Sequence, residues 1–232
     1  QNTAVGALAL NNTTTSDNNT AVGYFSLGAN TTGAYNTAVG HSALDANTTA
    51  DSNVAVGYGA LTANTTGAAN VAIGFEAMQA MTGGYHRNVA IGFDAMKGST
   101  RNSENIAIGA YAMDGTITNA SCTQNIAIGT YSMSGALAGY HNTAVGDGSM
   151  KVATSAFDNT ALGFNTLTAL TTGDNNVAVG SAALAANTTG AQNTAVGLNA
   201  GKAITTGTYS TYLGYNAGGN NIGTQSVFLG GN

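Results

Sequence analysis

A pentapeptide ending in glycine returns from one end of the chain to the other. Asn88-Val89-Ala90-Ile91-Gly92 is one copy, Asn2-Thr3-Ala4-Val5-Gly6 another, and Ser226-Val227-Phe228-Leu229-Gly230 a third. The closing glycines between the outer copies are Gly23, Gly40, Gly57, Gly74, Gly92, Gly109, Gly129, Gly146, Gly163, Gly180, Gly197 and Gly214, and nearly all neighbours stand 17 residues apart. A period this short and this constant excludes an ordinary globular core and points to a solenoid, in which each repeat packs only on its neighbours.

The unit is Asn-Thr-Ala-Val-Gly-x-x-Ala-Leu-x-Ala-Asn-Thr-Thr-Gly-x-x, and Asn36 to Ser52 is close to it. It holds two short apolar pieces, Thr/Val/Ile-Ala-Val/Ile and Ala/Ser-Leu/Met, bounded by Gly and Asn, the residues that best tolerate the positive φ of tight turns. Glycine recurs too often, and the pieces are too short, for a helix. β-branched residues suit the first piece to a strand. The pattern therefore predicts an all-β chain: a parallel β-solenoid of about 14 coils with two strands and two turns per coil, stacked at roughly 4.8 Å. Like positions then form ladders. One contains Val39, Val56, Ile73, Ile91 and Ile108, and a second contains Leu44, Leu61, Met78 and Met96. The two are expected to meet inside the coil. The flat Ala ladder (Ala38, Ala55, Ala72, Ala90) then falls on the other face of the strand, approached by the far wall of its own coil or by a neighbouring chain.

Asn-Val-Ala-Ile-Gly resembles the Asn-Ser-Val-Ala-Ile-Gly head repeat of YadA-type trimeric autotransporter adhesins. The 17-residue form, with Ala-Leu and Asn-Thr-Thr-Gly, is similar to arrays in bacteriophage tail fibres and bacterial surface proteins. The likeness covers essentially the whole chain. It implies a left-handed β-roll, three chains side by side, and a role in attachment. The adhesin heads use shorter repeats, and the extra residues here fall in the Asn-Thr-Thr-Gly turn.

The repeats read as one domain over 1–232: regular coils in 1–74, longer turns in 75–125, regular coils again in 126–197, and altered coils in 198–232, where Gly201 and Gly218 replace Leu/Met and Tyr212 and Phe228 replace Ala. That exchange suggests a taper or a junction. Uncapped strand edges at both ends suggest a segment of a longer fibre, or end-to-end stacking.

Charged residues make up 6 % of the chain against about 25 % in ordinary domains. Five scattered bases and a net charge of −5 exclude a nucleic-acid surface, which needs clustered Lys and Arg. No apolar run is long enough for a transmembrane helix. Cys122 is the single cysteine, so no disulfide framework exists. His41, His86 and His141 lack a metal-binding spacing. The ten acids share no repeat position, and no nucleophile elbow, P-loop or zinc-protease motif occurs. No catalytic residue, cofactor or metal is expected, and the chain does not read as an enzyme.

Two surface features stand out. The residue after the closing glycine is aromatic or large in five consecutive coils: Tyr24, His41, Tyr58, Phe75 and Phe93. This stripe offers a platform for sugar rings, or it stacks on itself along the edge; the second is preferred because aromatic pairs stabilise on their own account. The turns around Tyr85-His86-Arg87 and from Asp114 to Gln124, which holds Asn119, are lengthened, and solenoid insertions often mark a binding edge. Asn30 and Asn47 sit in Asn-x-Thr sequons, which the periodic turn explains without a glycan.

The primary expectation is a structural shaft or head segment of an extracellular attachment fibre, on a virion or a bacterial surface, whose main partner is itself. The alternative is a glycan- or receptor-binding adhesin using Tyr24, Tyr58, Phe75, Phe93 and Asn119. A more remote one is an ice-binding solenoid. It needs an unbroken Thr array, and position two changes from Thr3, Thr20 and Thr37 to Val or Ile from Val54 to Ile126. Thermal hysteresis would reveal it.

Overall fold

The computed structural model describes residues 1–82, 84–115, 122–135, 138–219 and 223–231. They fall into two compact units, Gln1–Ala120 and Ser121–Asn232. Each is a parallel β-solenoid. The first carries strands β1 (Thr3–Val5), β2 (Thr20–Val22), β3 (Thr37–Val39), β4 (Val54–Val56), β5 (Val71–Ile73), β6 (Val89–Ile91) and β7 (Ile106–Ile108). The second carries β8 (Ile126–Ile128), β9 (Thr143–Val145), β10 (Thr160–Leu162), β11 (Val177–Val179), β12 (Thr194–Val196), β13 (Thr211–Leu213) and β14 (Val227–Leu229). Within each unit every strand pairs with the next in parallel, like position on like position: Ala21 on Ala38, Ala38 on Ala55 and Ala144 on Ala161.

The expected second strand is not formed. The Ala/Ser-Leu/Met piece is a run of turns, because alternate residues take a left-handed φ: 57° at Phe25 and 50° at Leu27, with the same pair recurring at Glu76 (50°) and Met78 (53°). A strand requires both residues of each pair in the β region, so this wall curls. Its amides still reach neighbouring coils. Phe25 N donates to Ala7 O at 3.1 Å, and Leu27 N to Ala43 O at 3.1 Å. Stacking therefore satisfies the backbone in the turns as well as in the strands, as buried amides demand. The closing glycine is fixed by the same stacking: Gly57 has φ +133°, and a Cβ there would overlap the carbonyl oxygen of Gly74 in the next coil.

The interior differs from expectation in which strand face it takes. The Ala row points inward: Ala21, Ala38, Ala55, Ala72, Ala90 and Ala107 are fully buried, as are Ala127, Ala144, Ala161, Ala178 and Ala195. Leu44, Leu61, Met78 and Met96 fill the space opposite and are fully buried. Val39 and Ile73 are instead 36 % and 37 % exposed, and Val56, Ile91 and Ile108 are half-buried on the same outward row. The coil is too narrow for two large ladders. One wall supplies the Leu or Met, and the other must be Ala so that the backbones approach.

In the last coils of the second unit the roles of the two walls reverse. Tyr212 takes the Ala position of β13 and is fully buried. Gly201 and Gly218 take the Leu/Met position, with φ +60° and +67°. The Tyr212 ring stacks on Phe228 at 5.5 Å and 6°. The anticipated taper is an exchange of bulk from the turn wall to the strand wall.

Asparagine supplies the polar part of the core. From Asn19 on, the Asn that precedes a strand is buried, and it ties its coil to the next. Asn36 Oδ1 accepts from Asn53 N at 2.9 Å, and Asn36 Nδ2 donates to Ala50 O at 2.8 Å. The pattern repeats in the second unit at Asn142, whose Oδ1 accepts from Asn159 N at 3.1 Å. The turn residues Asn30 and Asn47 are buried too, with Asn47 Nδ2 donating to Asn30 Oδ1 at 2.9 Å. Both sequon amides are thus committed to the fold.

Candidate interaction surface

Alternation along a three-residue strand puts its first and third side chains on the face opposite Ala. Over all fourteen strands those positions hold only Thr, Val, Ile and Leu. In the first unit the outward pairs run from Thr3 and Val5 through Val54 and Val56 to Ile106 and Ile108. Within each unit the outward residues form continuous rows from coil to coil, as Thr20 beside Thr37 and Ile73 beside Ile91. The chain's own walls leave this face open. At roughly 4.8 Å between strands and 3.3 Å per residue, each unit's face, with its flanking positions, is on the order of 400 Å². An uncharged patch of that size is often functional.

The aromatic stripe borders this face in the first unit. His41 lies 5.1 Å from Tyr24 and 5.1 Å from Tyr58, Tyr58 5.3 Å from Phe75, and Phe75 5.1 Å from Phe93, with interplanar angles falling from 34° to 7°. Tyr111 closes the row edge-on at 5.4 Å. Near-parallel rings at the coil spacing turn their faces to one another. Tyr58 is 50 % exposed, but it presents an edge to solvent, whereas a pyranose stacks on a ring face. Tyr24, Tyr58, Phe75 and Phe93 are therefore brought together, in the self-stacked arrangement. Asn119 lies outside the described residues.

Three charges of the first unit, Lys97, Glu76 and Asp94, meet on the turn wall. Lys97 Nζ contacts Glu76 Oε2 at 2.5 Å and Asp94 Oδ2 at 3.2 Å. The hydrogen bond to Glu76 is the main reason the ammonium holds its proton above the usual lysine range. Asp94 Oδ1 is buried without a hydrogen-bond partner. Burial pushes the Asp114 carboxyl up, and the neighbouring charge of Asp94 adds to it. Arg87 pairs with Glu104 one coil on. In the second unit His141 bridges coils, its Nδ1 3.1 Å from Asp158 and its Nε2 2.7 Å from Gln124. Asp45 and Asp174 are also raised by burial. Cys122 is buried, and its thiol is pushed up to about 12. Among the described residues no cluster of His, Cys, Asp or Glu is arranged to hold a metal ion, and no helix is long and apolar enough to cross a membrane.

The outward Val/Ile rows are the surface that sequence reasoning placed inside. A signal for them was present: Thr3, Thr20 and Thr37 share a strand face with Val5, Val22 and Val39, and a row of hydroxyls belongs next to water or to a partner. No protein-family model matches the chain, and comparison with curated proteins and with solved structures finds no match.

Proposed function

We propose that the chain is a structural shaft or head segment of an extracellular attachment fibre, assembled as a side-by-side homotrimer. One observation carries this reading: the outward strand positions hold only uncharged Thr, Val, Ile and Leu in every described coil, and the chain does not cover them. A stable interface buries about 800 Å² per partner, and a face on the order of 400 Å² in a single unit is large enough to form part of one. A β-branched wall has few rotamers to lose on docking, which suits a rigid assembly. The resemblance to adhesin heads and tail-fibre arrays supplies the stoichiometry and the attachment role. The edge-on aromatic stripe and the dispersed charges fit a passive element better than a sugar-binding groove.

Native mass measurement tests the reading, with a trimer expected at micromolar concentration. Ile73→Lys with Val39→Lys should give a folded monomer, because both side chains already face outward. A wild-type chain that stays monomeric sinks the proposal. Binding to a glycan array that is lost on Tyr58→Ala would assign a receptor-binding role instead.

A further inference from the structure

We infer that His86 is an acid-released latch: its imidazole ties the lengthened turn of the first unit to the coil before it, and protonation undoes the tie. The latch lies within one chain and is independent of the assembly proposed above. Two residues before the Asn that leads a strand, a backbone amide finds its partner in a side chain one coil on. Ala34 N donates to Asp51 Oδ1 at 2.7 Å, and Phe157 N to Asp174 Oδ1 at 3.0 Å. His86 N donates to Ser103 Oγ at 3.2 Å. At the lengthened turn the acceptor is a ring nitrogen: Ala68 N donates to His86 Nδ1 at 2.9 Å. These four acceptors differ in one chemical respect. A hydroxyl accepts at any ordinary pH, and a carboxyl keeps an acceptor oxygen whether or not it is protonated. Imidazole accepts only through a bare nitrogen, and in the imidazolium both nitrogens are donors. Of the four, only the His86 acceptor is abolished by a proton, and histidine is the side chain that ordinarily titrates between pH 8 and 5.

The ionisable groups at this corner are Tyr85 and Arg87 on the same coil and Arg101 and Glu104 on the next. Arg87 and Glu104 are paired with each other, and the preceding coil presents uncharged Ala68 and Ala69. The Ala68 bond exists only with a neutral imidazole and only in the folded chain. Its contribution is therefore full above the histidine range and is lost as pH falls through it. Acid sets two N–H groups against each other, so the ring turns away and half-buried Ala68 is left to water. The rest of the corner stays attached, because Asn70 Nδ2 donates to Tyr85 O at 3.0 Å and Arg87 N to Ala68 O at 3.2 Å. The other histidines are set the opposite way. Protonated His141 faces the Asp158 carboxylate, and His41 lies between the rings of Tyr24 and Tyr58, which attract a cation. Whole-chain stability sums these opposed responses, so the latch has to be read at its own amide.

The test is residue-resolved amide hydrogen exchange on the full chain at pH 7.5 and 5.5, each rate divided by the intrinsic rate at that pH. Protection at Ala68 should fall roughly fivefold on acidification, as the loss of one hydrogen bond implies. Ala34 and Phe157, which donate to carboxyl groups, should keep theirs. His86→Asp should hold Ala68 protected at both pH values, since aspartate already fills this role at Asp51 and Asp174. His86→Asn, whose carbonyl oxygen also accepts at either pH, repeats the test should the carboxylate disturb the fold. His86→Ala should leave Ala68 equally unprotected at both. Wild-type protection at Ala68 that ignores pH overturns the latch. So does a fall shared by Ala34 and Phe157, or one that survives in His86→Asp or His86→Asn.

Discussion

The ring of Tyr212 occupies the space that a side chain at Gly218 would fill: a Cβ built on Gly218 would stand 2.5 Å from Tyr212 Cε1. Elsewhere that space belongs to a leucine or methionine facing an alanine, so the two walls trade volume at constant total. Tyr212→Ala should cost about 3–5 kcal/mol, as expected for emptying a buried aromatic site. Adding Gly218→Leu should restore at least half of the loss, because Leu27 and Leu184 hold the equivalent position with φ near 50°. Chemical denaturation of the two variants measures the recovery, and a double variant no better than Tyr212→Ala would disprove the exchange.

The same residue yields a prediction of opposite sign. Tyr212 Oη is buried with no hydrogen-bond partner. Tyr212→Phe removes a desolvated hydroxyl and keeps the ring, and Phe228 already stands in that place one coil on. Stability should rise by about 1 kcal/mol. A loss on thermal or chemical unfolding would show that the hydroxyl is satisfied after all.

Asn36→Ala should be costlier than its size suggests. It strips the partner from the Asn53 amide in the next coil and one of two donors from the Ala50 carbonyl, which keeps Asn47 Nδ2, and leaves a small void. About 1–3 kcal/mol follows from the one buried amide left unpaired. The measurement is a denaturation midpoint. Hydrogen exchange should show protection lost first at Asn53, the amide that Asn36 caps.

Asp45, Asp114 and Asp174 have carboxyls raised by burial above their ordinary 3.8. The folded state therefore binds protons more readily than the unfolded chain, and these groups oppose folding when ionised. Their penalty is fully present above the raised values, relaxes as pH falls through them, and is gone below 3.8. Wild-type protein should gain stability on this account between neutral pH and about 4. The Asp45→Asn, Asp114→Asn, Asp174→Asn triple variant should lack that gain. Melting temperatures of the two across this range decide it; parallel curves refute it.

Cys122 should resist thiol reagents. With its thiol pushed up to about 12 by burial, almost no thiolate exists at pH 8, and the thiolate is the nucleophile. A maleimide or aromatic disulfide should label it only after denaturant is added. Stoichiometric labelling of native protein would contradict the burial.

How much of this could be read from residues alone divides along a physical line. Periodicity fixed the class, the parallel pairing and the register, because one Ala at every seventeenth position leaves no other alignment. It also located Leu44, Leu61, Met78 and Met96 in the interior. It missed the inward face of the strand because hydrophobicity ranks Val39 and Ile73 above Ala, whereas the deciding quantity is the width of the coil. It overestimated strand content because left-handed φ at Leu27 or Met78, neither of them Gly or Asn, has no signature in residue type. The aromatic stripe was legible as a row, but ring orientation, and with it the weakness of the sugar-platform reading, required geometry. Asn119, in the lengthened turn, lies outside the described residues, so its part in binding rests on sequence alone.

The coil-to-coil asparagine bonds also bear on how such a chain changes length. Each coil offers its successor the same acceptor and uses its predecessor's. Excising 54–70 would join Asn53 directly to Val71 and put Ala72 on Ala38 and Met78 on Leu44, with every row unbroken. Units of this kind can be lengthened or shortened by a whole turn of sequence without breaking a row, so the number of coils can vary while the cross-section stays constant.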